Sequence, residues 1–217
     1  HTYWKDSAGF PFTPRQAFEF LHTGALTSAF CASLSPTFVD LSQDGWTQDR
    51  ATPLFVTAAI SMSAEKQARL VRFLASGGRA LIAPLLPVWD ENLEPCTHLL
   101  DFLGLPINAF SLNPGKAVRL NIAGVTNVLA NGSVFFADHL PNGAQILGVD
   151  EFSGRPVAWK LGTPGGGQLI FLGMSWAHAM HEHHRMLATL LNDLGLHPKI
   201  ACNNPNLWST LWTAGDR

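Results

Sequence analysis

The chain has 217 residues, with 14 Lys and Arg against 16 Asp and Glu and a formal net charge of −2. That balance gives no basic field for nucleic acid or an anionic membrane, and no apolar run approaches the ~20 residues of a membrane span. Hydrophobic residues make up 47% and charged residues 14%, enough for one sizeable core beneath a sparsely charged surface, part of which is expected to lie under other protein.

Residues 1–12 read as an irregular lead-in with Trp4, Phe10 and Phe12 laid against the body. Thr13-Pro14 starts a helix, Thr13 as N-cap and Pro14 at the first helical position, that ends near Gly24. Residues 25–36 carry no clear element. Thr37-Phe38-Val39-Asp40-Leu41 reads as a short strand, and Ser42 to Pro53 as a polar loop holding Trp46.

The next stretch organises the rest. Leu54-Phe55-Val56-Thr57-Ala58-Ala59 is apolar without alternation, as a strand covered on both faces should be. Ser63 then caps a helix from Ala64 to Ser76, with Leu70, Phe73 and Leu74 on one face and Glu65, Arg69 and Arg72 on a charged stripe opposite. Gly77-Gly78 stops it, and Ala80-Leu81-Ile82-Ala83 follows as a second buried strand. Strand, helix and strand form one right-handed crossover with parallel strands. The fold class expected is therefore α/β with a mainly parallel central sheet and added antiparallel hairpins.

Pro84 to Asp90 leaves the carboxyl end of that strand as a loop. Pro95 to Leu103 is a short helix closed by Gly104-Leu105-Pro106, a glycine cap whose following leucine packs back on the last turn. Asp193-Leu194-Gly195-Leu196 repeats the device. Between Ile107 and Gly173, β-type runs at Val118-Leu120, Val134-Phe136, Ile146-Val149, Pro156-Leu161 and Leu169-Leu172 alternate with turn clusters, so hairpins are expected. Gln168 to Gly173 is apolar enough for the central sheet. Ala177 to Leu194 reads as a long helix with Met180, Leu187, Leu190, Leu191 and Leu194 inward, and Ile200 to Trp212 as a turn leading into a strand.

The whole of 1–217 is read as one domain: lead-in 1–12, parallel βαβ half 13–106, β-rich half 107–173, C-terminal helix 174–198, and a tail 199–217 leading to a further domain. A start at His1 without methionine and an end just past an apolar stretch read as cuts from a longer polypeptide. The amino terminus shows no secretory leader, which fits a cytoplasmic setting.

Candidate chemistry is sparse. Cys31, Cys96 and Cys202 are far apart and odd in number, so they read as buried free thiols and not as a disulfide framework or zinc site. His178, His181 and Glu182 are the candidates for a metal site, with His184 on the same helix. Their spacing is not H-E-x-x-H, and solvated helix histidines are the preferred reading. A nucleophile elbow after Ala80-Ala83 is replaced by Pro84-Leu85-Leu86-Pro87. Asp90, Glu91 and Glu94, and the pair Asp150-Glu151, sit in turns and read as solvated loop acids. Gly165-Gly166-Gly167 is a hairpin turn, since no helix and no Lys-Ser/Thr completes a P-loop. A ligand crevice, if the sheet has one, lies beyond the carboxyl ends of its strands. Its loops offer Trp89, Trp176 and His178, and indole faces suit sugar rings. No cofactor is expected.

The run Met62-Ser63-Ala64-Glu65 through Leu70 to Ile82, with the Gly-Gly pair between helix and strand, resembles the class I glutamine-amidotransferase-like domain of bacterial β-galactosidases. Phe38-Val39-Asp40-Leu41, the hairpin from Pro156 to Gly173, and Asn204-Pro205-Asn206 are similar too. The resemblance implies a flavodoxin-like three-layer α/β sandwich with a mainly parallel central sheet, an accessory domain of a glycoside hydrolase without catalytic residues of its own because Pro84 to Pro87 replace the amidotransferase thiol. It implies partners among the other domains of the parent enzyme, contacts between copies in a homo-oligomer, and exposure of Trp89, Trp176 and His178 to carbohydrate at a sugar-site rim. A stand-alone sugar or small-molecule binding module and a His-cluster metal-dependent enzyme are the alternatives.

Overall fold

The computed structural model describes residues 24–113, 117–130, 134–175, 180–198 and 200. Among them, strands β1 (Leu54–Ala58), β2 (Arg79–Pro84), β3 (Phe110–Asn113), β4 (Val118–Ile122), β5 (Val125–Ala130), β6 (Val134–Ala137), β7 (Gln145–Asp150), β8 (Pro156–Thr163) and β9 (Gly167–Leu172) alternate with helices α1 (Gly24–Cys31), α2 (Ala64–Ala75), α3 (His98–Leu103) and α4 (His181–Asp193). The expected helix from Thr13 and the tail strand lie outside the described residues.

The crossover unit forms as its sequence dictates. Ser63 accepts from Lys66 N at 3.4 Å and caps α2. Leu70, Phe73 and Leu74 are buried along the expected face. Gly77 takes φ +99° and Gly78 N donates back to the Phe73 carbonyl at 2.9 Å, the six-to-one bond of a Schellman ending. The same ending closes α3, where Gly104 has φ +67° and Leu105 N reaches Leu100 O at 2.9 Å. It closes α4 too, through Gly195 at φ +79° and Leu196 N to Leu191 O at 3.0 Å.

The sheet corrects the expected fold class. Its seven strands run β1-β2-β9-β8-β7-β4-β5, with β3 and β6 paired apart as a two-stranded sheet. Only β1-β2 and β2-β9 are parallel; β9-β8, β8-β7, β7-β4 and β4-β5 are antiparallel. Among the described residues the sheet is mixed and mostly antiparallel, so it is neither a mainly parallel sheet nor part of a flavodoxin-like three-layer sandwich. The physical reason is connection length. A parallel neighbour needs a helical crossover, whereas β4 to β5, β7 to β8 and β8 to β9 are joined by short turns that only antiparallel strands can use. Register shifts at Leu120/Ile122 and around Gly148 mark bulges, which add twist to this wing.

Two apolar clusters share the central strands. Leu81, Ile170 and Leu172 face one, with Leu187, Leu190 and Leu191 of α4; Ile82, Leu169 and Phe171 face the other, with Leu70, Phe73 and Leu74 of α2. The alternation along β2 and β9 is the two-residue period of strands buried on both sides.

Three local expectations change. Thr37 to Leu41 forms no strand; Phe38 and Val39 are 77% and 46% exposed, with no paired neighbour to hold an extended ladder. The stretch 25–36, which carries no clear element in the sequence, supplies most of α1, whose small residues Gly24, Ala25, Ser28 and Ala29 face inward. Arg69 leaves the charged stripe. It is buried, donates to the Leu41 and Ser42 carbonyls, and pairs with Glu65 at 2.6 Å and Asp44 at 3.3 Å, pinning the loop that seats Trp46 beside Phe73.

Candidate functional site

The candidate site is the carboxyl end of β1, β2 and β9. There the parallel pairing of β1 and β2 extends past both strands. Val88 N and Trp89 N donate to Ile60 O at 2.9 and 3.1 Å, and Met62 N donates to Trp89 O at 2.9 Å. Gln67, fully buried on α2, donates Nε2 to the carbonyls of Met62 at 2.9 Å and Trp89 at 3.3 Å. On its other side Trp89 pairs with Pro95, and Cys96 N returns to Val88 O at 2.9 Å. Trp89 is thus held at both flanks by backbone bonds and is half-buried.

The loop before it belongs to the core. Leu85, Leu86 and Pro87 are buried, and Leu86 packs in the α2 cluster. This is where an α/β enzyme would place a nucleophile, and apolar side chains fill it.

The loop after Trp89 is organised by one carboxylate. Asp90 Oδ1 accepts from Asn92 N at 2.8 Å and Glu94 N at 2.9 Å, while Asp90 N donates to Glu94 O at 2.9 Å. Glu91 and Glu94 stay exposed, as expected of loop acids. Asp150 does not. It is buried at the end of β7, and its Oδ2 accepts from Ser153 N at 2.9 Å and from the Ser153 hydroxyl, so the turn consumes the charge locally.

Beside that turn Arg155 donates to Asp138 Oδ1 at 2.7 Å and to the Ser111 hydroxyl, its guanidinium 4.4 Å from the Phe136 ring centroid. Hydrogen bonding from Ser111, then from Arg155, holds the Asp138 carboxyl below its ordinary range.

Trp176 and His178 lie outside the described residues. Of the metal candidates, His181 is exposed and Glu182 half-buried at the start of α4. Among the described residues no group of three His, Cys, Asp or Glu is placed to hold an ion. Cys96 is a buried free thiol and Cys31 a half-buried one; burial raises the Cys96 pKa. Cys202 lies outside the described residues.

His183 is the residue the sequence reading passed over. Grouped with solvated histidines, it is instead 2% exposed, and its Nε2 donates to the Leu129 carbonyl on β5 at 2.9 Å. Desolvation pushes its pKa down, against the opposing effect of that bond. The signal was present: His183 stands at i, i+3, i+4 and i+7 with the buried Met186, Leu187 and Leu190.

Residues 15–138, more than half of the chain, match the family described as GLMA-like, second domain. The chain belongs to that family. Two curated relatives are exo-beta-D-glucosaminidases. That of Thermococcus kodakarensis is 31% identical over 71% of this chain and 20% of its own length, and that of Pyrococcus horikoshii 25% identical over 67% and 19%. The chain spans about a fifth of the length of these relatives. In fold it is similar to a catalytic mutant of Gan42B, a GH42 beta-galactosidase from G. stearothermophilus. That likeness has TM-score 0.69 and 18% identity, over 90% of this chain and 28% of that one. It is also similar to a ThuA-like protein from Bacteroides uniformis, with TM-score 0.56 and 11% identity, over 84% and 86% of the two chains.

These findings replace the class I glutamine-amidotransferase-like assignment of the bacterial β-galactosidase type. The matched family is the GLMA-like second domain, and the sheet of the described residues is mixed and mostly antiparallel, not the flavodoxin-like parallel sheet that assignment implied. Glycoside hydrolases are nonetheless among the homologues.

Proposed function

We propose that this chain is an accessory domain of a longer exo-acting glycoside hydrolase, folded as one unit and packed against the domain that carries the chemistry. One observation carries the reading: the sheet end where an α/β enzyme would place its reactive group is filled by buried Leu85 and Leu86. Membership in a second-domain family, with curated relatives of whose length this chain spans about a fifth, supports it. Asp90 and Asp150 fit as well, because each turns one carboxylate oxygen to the amides of its own turn. Terminal β-linked glucosaminides are the first substrates to test for the parent and galactosides the second. Trp89, Trp176 and His178 are the proposed rim contacts to sugar, and contacts between copies of the parent belong to the same proposal.

The experiment compares the 217-residue chain with its full polypeptide on chromogenic β-glucosaminide and β-galactoside. The full polypeptide should turn over one of them and the chain alone neither. Turnover by the chain alone would overturn the reading. A fluorescence response of the chain alone to either sugar would favour the stand-alone binding module.

A further inference from the structure

Strand direction places two exposed apolar side chains at one end of the sheet. β7 is antiparallel to β8 and β8 to β9, so β7 runs with β2 and ends at the same edge. The turn after β7 carries Phe152, 79% exposed, and the loop after β2 carries Leu93, 54% exposed. Three strand spacings separate β2 from β7, about 14 Å.

A single exposed apolar residue needs no explanation. These two differ because each stands on a turn tied by several hydrogen bonds of its own backbone. Leu93 has φ +63°, a left-handed conformation that leucine rarely takes, inside a loop whose amides converge on Asp90. Phe152 sits where Gly154 N donates to Asp150 O at 2.9 Å, Asp150 N donates to Arg155 O at 3.0 Å, and Asp150 accepts from Ser153. Rigid presentation of large apolar groups lowers the ordering cost of burying them in a partner. Both sit on turns at a strand edge, which suits a socketed protein surface better than a small ligand, whose sites are concave.

Resting on the accessory-domain reading, we infer that the Phe152 and Leu93 turns are the pegs by which this chain docks onto another domain of the same longer polypeptide. The partner surface has one apolar socket for each. Exposed Glu91 and Glu94 flank Leu93, so its socket is rimmed by Lys or Arg; at Phe152 exposed Glu151 and Arg119 lie together and call for a mixed rim. The relatives, of whose length this chain spans about a fifth, leave room for such a partner in the same polypeptide.

Hydroxyl-radical labelling of the full polypeptide, native against urea-unfolded, tests this. A Phe152 that remains 79% exposed would be protected only about 1.3-fold, the inverse of its exposure. Docking should protect it about tenfold, as for a side chain at a desolvated interface core, and the protection should persist on dilution. L93S should raise Phe152 labelling severalfold, because both turns face one partner. Native labelling near the unfolded level, or an L93S variant that leaves Phe152 protected, overturns the docking inference. Protection that disappears on dilution overturns it in favour of contact between copies. Glycosidase activity of the same preparation reports on the accessory reading separately: activity without protection sinks the docking inference alone, and a polypeptide without activity sinks the reading beneath it.

Discussion

The parallel strip β1-β2-β9 and the antiparallel wing β8-β7-β4-β5 are halves of one sheet built by different physics. In the strip, β1 reaches β2 through α2, a link whose 3.6-residue pattern, cap and stop are all local. In the wing, β4 meets β5 and β7 meets β8 through short turns, and each run is too brief to announce which neighbour it takes. β9 joins the halves. It pairs parallel with β2, which lies more than 80 residues earlier in sequence, and antiparallel with β8 beside it. The lesson is that a strong crossover signal describes its own two strands and does not extend to the rest of the sheet.

The seam itself is the sharpest place to press. Phe171 is fully buried on β9, stacked on Trp159 at 5.4 Å and tilted against Phe110 at 4.7 Å. Phe171→Ala should cost about 3–5 kcal/mol, read by urea unfolding. The loss should appear in a single transition; two transitions would mean the halves are separate cores.

A pair of glycines comes next. Gly77 has φ +99°, and a Cβ there would meet the Gly165 carbonyl oxygen at 2.7 Å, so α2's end interlocks with the β8–β9 turn. Gly124, on the wing's β4–β5 turn, has φ +77° and open space around it. Gly77→Ala should cost about 2–3 kcal/mol and Gly124→Ala about 1 kcal/mol, strain alone. Equal losses would remove the interlock from the account.

His183 ties α4 to the wing. Its folded pKa is depressed below the ordinary 6.5, so the unfolded chain binds the proton more readily. Its contribution is fully present above about pH 6.5 and is lost as pH falls toward the folded value. The melting temperature of the chain should therefore drop on acidification, and His183→Gln should flatten that drop while still able to donate to Leu129. An unchanged slope in the variant would exclude His183 as the cause. The smallest effect is expected where Lys160 of β8 meets Asp193 of α4 at 2.9 Å on a part-exposed surface. Lys160→Met should shift stability by less than about 1 kcal/mol.

Much of the candidate site was out of reach of the sequence. Trp89 was placed correctly after β2, but not the two-sided backbone bonding that leaves its indole half-buried. Phe152 had no periodicity to mark it, standing alone among turn residues. Asp150 looked solvated because its partner Ser153 closes the turn only once β7 and β8 pair.

By itself the amino-acid order determined the β1-α2-β2 unit, three glycine-ended helices and the positions of five later strands, because caps, stops and apolar faces are written within a few residues. Only tertiary structure decided that β9 lies between β2 and β8, that the wing runs antiparallel, and that Phe152 and Leu93 share an edge. Strand pairing joins residues far apart in sequence, and a two-residue period says which face is buried without saying which neighbour a strand will find.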